Sequence, residues 1–197
     1  MESFRTRIAP RKEDRLLDVG GTPEYWRAHD KIAQITLLNR FSAGPAGASE
    51  FEQVDGDGCA LPFQDGAFDI VFSNSVIEHV GTWSRQQAFA KEVRRVGRRL
   101  WIQTPAREFF IEPHLIAPLI HWLPVRAQRH LIRHWTLWGW LERPSRRQIE
   151  AFLDEVRLIT YGEMQALFPD CFILRERILG ITKSYVAVRA AQSTASI

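Results

Sequence analysis

The feature that most constrains this chain is an alternation. Apolar runs that are continuous, rather than apolar at every second residue, are separated by glycine turns or by segments of helical period. Arg15 to Val19, Ile35 to Leu38, Phe68 to Phe72 (FDIVF) and Arg99 to Thr104 (RLWIQT) are such runs, and Phe51 to Val54 is a fainter one. A strand covered on both faces reads this way because neither side meets water. Thr82 to Val96 places Phe89, Val93 and Val96 on one helical stripe, with Ser84 and Gln87 as a capping pair and Gly97 as a stop. Ser145 to Val156 repeats the pattern with Ile149, Phe152, Leu153 and Val156, and Thr160 with Glu163 spells a second capping box. The last two runs, Phe172 to Ile178 and Ser184 to Arg189, flank Gly180 and are spaced to pair antiparallel. Such a sequence predicts an α/β fold, a three-layer sandwich around a Rossmann-like, mostly parallel seven-stranded sheet with an antiparallel C-terminal strand pair.

Residues 14–190 read as one domain, with 1–13 as a flexible basic arm, 105–145 as an insertion and 191–197 as a flexible tail. Twenty-six basic and 23 acidic side chains leave a net charge of +3, which argues against a nucleic-acid binder with one concentrated basic face. Cys59 and Cys171 stand alone, so neither a disulfide framework nor a zinc ribbon is expected. MESFRTRIAPRKE has no apolar core of a secretory signal, and no run has the length of a membrane span. The expected location is cytoplasmic, with peripheral membrane contact as an addition to it.

In an open sheet of this type, ligands bind beyond the carboxyl ends of the strands, where strand order reverses. The residues that follow the strands are Asp18-Val19-Gly20-Gly21-Thr22-Pro23, then Asn39, then Gly56-Asp57-Gly58, then Ser73-Asn74-Ser75-Val76-Ile77-Glu78-His79-Val80. The first turn holds two adjacent glycines, not the spaced three that cradle a pyrophosphate, and no acid ends the second strand. A nicotinamide-dependent dehydrogenase is therefore disfavoured. Two glycines still let a ligand approach the backbone closely.

The run GDGCALPFQDGAFDIVFSNSVIEHV, Gly56 to Val80, resembles the class I S-adenosylmethionine-dependent methyltransferases of the small single-domain type. DVGG resembles their glycine turn, RRLWIQTP their fifth strand and ERILGITKSYVAV their closing strand pair. The resemblance implies S-adenosylmethionine as cofactor and S-adenosylhomocysteine as product. It implies that Asp18, beneath the turn of Gly20 and Gly21, orients the methionine amino group. It gives the ribose to Asn39, where the family places a carboxylate, and the adenine to Asp57 and the Gly58 N–H. Ser73 and Asn74 would begin the path past the reacting centre. Thr22-Pro23 stands where the family has another glycine.

Between the fifth strand and the Ser145 helix runs PAREFFIEPHLIAPLIHWLPVRAQRHLIRHWTLWGWLERP, which carries four of the seven tryptophans and four of the six histidines. Insertions here commonly form the acceptor pocket in the family, so Glu78, Arg107, Glu112 and Trp122 are substrate candidates. His79 and His114 are candidate general bases, imidazole being the group that exchanges protons near neutral pH. Taken as one helix, Arg126 to Trp138 sets Arg126, Arg129, His130, Arg133 and His134 on one arc and Leu131, Trp135 and Trp138 opposite. That pattern suits a lid with the tryptophans in its core, or a helix lying on an anionic membrane. His130 and His134 have metal-ligand spacing, but no Glu lies between them and no third ligand is evident, so no metal is expected. The resulting expectation is methyl transfer to a small-molecule, glycan or lipid-linked acceptor. The second reading is a catalytically silent methyltransferase-like scaffold, favoured by Asn39, Thr22-Pro23 and the short segment before the first strand. That short segment leaves the cofactor to be covered by the excursion or by the second subunit of a homodimer.

Overall fold

The computed structural model describes residues 1–29, 32–40, 50–112 and 115–190. Strands β1 (Arg15–Val19), β2 (Gln34–Asn39), β3 (Glu52–Asp55), β4 (Phe68–Asn74) and β5 (Gly97–Pro105) come first. A small ribbon of β6 (Ile111–Glu112) and β7 (Ala117–Pro118) follows, then β8 (Phe172–Ile178) and β9 (Ile181–Arg189). The main sheet has seven strands in the order β3-β2-β1-β4-β5-β9-β8. Strands β1 to β5 are mutually parallel, and β9 pairs antiparallel with both β5 and β8. The expected α/β sheet is therefore what the chain forms. Leu179 and Gly180, both at positive φ (50° and 82°), make the two-residue turn between β8 and β9.

Side-chain alternation assigns each strand residue to a face. Leu17, Val19, Val71, Leu100 and Ile102 join the core under α3 (Trp83–Val96) and α7 (Tyr161–Leu167). Leu16, Ile70, Phe72 and Trp101 join the core under α1 (Glu2–Ile8) and α2 (Pro23–Arg27). Strand order reverses between β1 and β4, and this reversal opens the crevice that positions the site.

Several expectations need correction. The presumed flexible arm contains α1, whose Phe4 and Ile8 are buried, with the Phe4 ring edge-on to Phe72 (5.2 Å) and Trp101 (5.6 Å). Burying one phenylalanine stabilises by roughly 1.5–3 kcal/mol, enough to hold so short a helix on the sheet. Helix α2 is a short one, ending at Arg27. Helix α3 is capped by Thr82, which accepts from the Arg85 amide, not by Ser84. The capping boxes of Ser145–Gln148 and Thr160–Glu163 form as read, on α6 (Arg146–Glu155) and α7.

The single helix expected over Arg126–Trp138 is two helices, α4 (Val125–Trp135) and α5 (Leu137–Glu142). Thr136 makes the corner: its hydroxyl donates to the Ile132 carbonyl (2.7 Å) and accepts from the Gly139 amide (2.8 Å). A Cβ on Gly139 would fall 2.0 Å from the Ile132 carbonyl oxygen, so only glycine lets α5 fold back this closely. The inward residue of α4 is Ile132, whereas Trp135 is exposed. Of the excursion's tryptophans, Trp138 packs in the lid core against Phe152 (5.6 Å between rings), whereas Trp122, Trp135 and Trp140 are largely in solvent. The 191–197 tail and most of the glycine-rich loop after Arg40 lie outside the described residues.

Candidate cofactor site and acceptor cavity

Beyond the ends of β1 and β4, the turn Gly20-Gly21 is shaped by its neighbours. Gly20 has φ +84°, and a Cβ there would meet Val76 Cγ2 at 2.3 Å. A Cβ on Gly21 would fall 1.8 Å from Asp18 Oδ2. The carboxylate thus lies directly beneath the turn. It is buried and accepts from Trp26 Nε1 at 2.7 Å. Burial raises the Asp18 pKa to about 7, and the Trp26 hydrogen bond offsets this only in part. An acid held so far from its usual range stores attraction for a cation.

Asn39 does more than end β2. Its Nδ2 donates to the Gly21 carbonyl at 2.8 Å, which ties the ends of β1 and β2 across the turn. A carboxylate there would face the carbonyl oxygen with no proton between them. The amide leaves Oδ1 as the acceptor it can present to a hydroxyl.

Asp57 is held from three sides. Oδ1 accepts from the Cys59 amide (2.9 Å), and Oδ2 accepts from Arg85 (2.7 Å) and Arg40 (2.9 Å). Partial burial works against its charge, but the Arg85 hydrogen bond, the Cys59 amide and the two guanidinium charges prevail and set the pKa at about 2. Arg85 also donates to the Val80 carbonyl (2.9 Å), so one side chain joins the Asp57 turn to the loop after β4. Gly58 packs closely: a Cβ there would lie 2.9 Å from the Phe89 ring. Arg40 and Arg85 were missed from sequence, where nothing local links them to Asp57.

Two other candidates are placed differently from expectation. Ser73 is buried, and its hydroxyl donates to the Val19 carbonyl (3.0 Å), so it braces β4 against β1 while Asn74 is the exposed member of the pair. Glu78 is fully buried and accepts from the Thr104 hydroxyl (2.9 Å), because the short helical turn Ile77–His79 tucks it against β5. His79, next along, lies 3.8 Å from Glu155 of α6 through Nδ1.

Between the loop after β4 and the excursion is a cavity of about 400 Å³, whose walls include Thr82, Arg107, His121, Asp154 and Arg157 with apolar Leu115 and Phe152. Arg107 also clasps the excursion, its carbonyl accepting from His121 Nε2 and Trp122 Nε1, both at 2.9 Å. Trp122 is thus a strut at the rim. Gln86 fixes the far wall: Nε2 donates to the Ile77 and Arg157 carbonyls, and Oε1 accepts from the Arg157 guanidinium at 2.6 Å. Its signal in the sequence was a lone glutamine on the apolar stripe of α3, three residues before Phe89. His114 and the Glu112 side chain lie outside the described residues.

Residues 26–99 match the family model described as a methyltransferase domain, a span that includes Asn39, Asp57 and Asn74 but begins after the glycine turn. The seven-stranded sheet with its antiparallel closing pair is a methyltransferase-like α/β fold. The cofactor of that family is S-adenosylmethionine. The chain resembles a solved S-adenosylmethionine-dependent methyltransferase from Methanosarcina mazei (15% identity, TM-score 0.54, covering 98% of this chain and 99% of that one). It resembles another from Aquifex aeolicus (11% identity, TM-score 0.53, 95% and 86%). A Rhodobacter sphaeroides protein assigned provisionally to zinc-dependent alcohol dehydrogenases aligns with TM-score 0.59 at 12% identity, over 98% and 89%. At such identities the likeness is one of fold. Among the described residues no group of three or more His, Cys, Asp or Glu is placed to hold a metal ion. No curated protein sequence matches the chain.

Proposed function

We propose that the chain is an active S-adenosylmethionine-dependent methyltransferase whose acceptor is a partly apolar, anionic small molecule, glycan or lipid-linked group bound in the cavity lined by Arg107. The observation that carries this reading is the cradle at the strand reversal, where Gly21 has no room for a side chain because the Asp18 carboxylate occupies it. A buried acid beneath a glycine turn fits a ligand with a cationic amino-acid end and no phosphate.

The chain's own residues bind and orient. Asp18 sits where it holds an ammonium group beneath the turn. Asn39 offers Oδ1 to a ribose hydroxyl while its amide keeps the turn closed. Asp57 and the Gly58 N–H face the adenine end, and Arg40, with its side chain 62% exposed, is the partner of Asp57 free to swing aside. The cofactor supplies a methyl group already activated on a sulfonium. What remains for the protein is to keep the acceptor at near-attack distance and aligned, which is where most of the acceleration of such a transfer arises. Arg107 and His121 on the cavity wall suit an anionic acceptor, and Leu115 with Phe152 suits an apolar portion. Where the acceptor must lose a proton, His79, oriented by Glu155, is the base beside this wall.

Calorimetric titration with S-adenosylmethionine and S-adenosylhomocysteine, beside the Asp57→Ala variant, tests this reading. Micromolar binding that the variant loses supports it. Silence of the wild type at millimolar ligand overturns it in favour of the scaffold reading.

A further inference from the structure

The excursion carries most of the exposed large apolar side chains among the described residues. Trp140 is 71% exposed, Leu141 62%, Trp135 61%, Ile116 60%, Trp122 51% and Leu119 47%. The pieces are joined by backbone: the Leu137 amide donates to the Leu115 carbonyl (3.2 Å), and the Leu119 amide to the Phe110 carbonyl (2.7 Å). Monomeric soluble proteins seldom display so many large apolar side chains in one segment without a partner for them.

The charge beside this surface is predominantly positive. From Leu119 to Arg143 there are four arginines and three histidines against one acid, Glu142. The outward arc of α4 is Arg126, Arg129, His130, Arg133 and His134. Two clefts of about 280 and 310 Å³ flank it, the first adding Arg146 and Glu150, the second adding Trp140 and Arg143. Glu150 answers Arg129 (2.8 Å) and reaches Arg146 at 4.0 Å. Among the described residues Arg126, Arg133 and Arg143 meet no carboxylate. Arg133 and Arg143 instead share a cleft wall with the exposed indole of Trp140.

We infer that the excursion docks on an anionic phospholipid bilayer, with the Arg133–Arg143 cleft taking headgroup phosphates and Trp135, Trp140 and Leu141 entering the interfacial layer. A planar guanidinium matches a phosphate, indole favours the boundary between water and hydrocarbon, and apolar contact plus anionic attraction together bind better than either alone. A second copy of the chain could cover the apolar part, but it would need acids to answer the arginines, and this face offers few: Glu142, and Glu150, already paired with Arg129. No helix of the described residues is long and apolar enough to cross a membrane, so the contact is one of surface.

The test mixes the full-length protein with vesicles of phosphatidylcholine alone and of phosphatidylcholine with phosphatidylglycerol. The protein should sediment with the second and not the first, with a blue shift of tryptophan emission and release by added salt. The R133E/R143E variant should bind about thirtyfold more weakly, or less still, since each arginine near an anionic surface contributes about fivefold. W135S/W140S should lose the blue shift. All four side chains are exposed, so circular dichroism and cofactor calorimetry should match wild type, which separates a failure here from a failure of the cofactor reading. Equal binding to both vesicle types, binding to neither, or a concentration-dependent dimer dissolved by W140S would each overturn the inference.

Discussion

Asn39 and Gly21 are joined by one hydrogen bond, 2.8 Å from the Asn39 side-chain amide to the Gly21 carbonyl. It fastens the turn above the buried Asp18, and it gives a structural reason for an amide at the end of β2. Asn39→Asp should remove the donor and oppose two acceptors, costing about 1–3 kcal/mol in urea unfolding. If the variant proved as stable as wild type and bound S-adenosylmethionine more tightly, Asn39 would be a plain ribose ligand and not a clasp.

Gly21→Ala places a methyl group where Asp18 Oδ2 now lies. Either the turn or the carboxylate must move, which should cost about 1–3 kcal/mol and abolish cofactor binding. Thermal unfolding and calorimetry read the two effects separately. Asp18→Asn/Gly21→Ala should not restore binding, because an amide is as large as the acid it replaces.

The pH dependence of Asp18 has a definite sign. Its folded pKa, about 7, lies above the ordinary aspartate value of 3.8, so its favourable contribution is complete below pH 4 and is lost as pH rises through 7. Asp18→Asn, neutral throughout, should therefore gain on wild type between pH 4 and pH 7, by up to about 4 kcal/mol. Denaturation midpoints of both proteins across that range decide the matter, and parallel curves would mean that Asp18 is ionised without penalty. Affinity of the wild type for the cationic cofactor should rise over the same interval, as the carboxylate becomes charged.

Asp57, at about pKa 2, stays ionised across any working pH and should impose no pH dependence. Its two arginines should separate by mutation. Arg40→Ala removes an exposed ion pair and should change stability by less than about 0.5 kcal/mol. Arg85→Ala also releases the Val80 carbonyl and should cost more, about 1–2 kcal/mol. Equal effects of the two replacements would show that the Asp57 turn and the loop after β4 are not coupled through Arg85.

What the sequence revealed, and what it withheld, divides by range. The parallel strands were readable because FDIVF and RLWIQT must be buried on both faces, and the boxes at Ser145 and Thr160 because a cap spans only three residues. Helix α1 was overlooked because two apolar residues, Phe4 and Ile8, carry its whole signal, and their destination, Phe72 and Trp101, lies far along the chain. The helix break at Thr136 depends on how closely Gly139 approaches Ile132, which no periodicity reports. Within the site, residue identities were legible from the strand ends, but their partners were not. Ser73 and Glu78 are polar residues at or after the end of a strand, yet fold onto Val19 and Thr104, far along the chain. The guanidinium groups around Asp57 arrive from 17 and 28 residues away.

The bridge between Ala106 and Ile159, with the Arg107 amide donating to the Ile159 carbonyl, makes the excursion leave and rejoin the sheet layer at a single point. Everything between can be lengthened, shortened or rewritten without altering the distance its ends must span. Because the cost of closing a loop grows only with the logarithm of its length, such exchanges are cheap in stability. The sheet with its strand-end turns and the excursion can therefore diverge at independent rates, the excursion behaving as a replaceable cassette on a fixed scaffold.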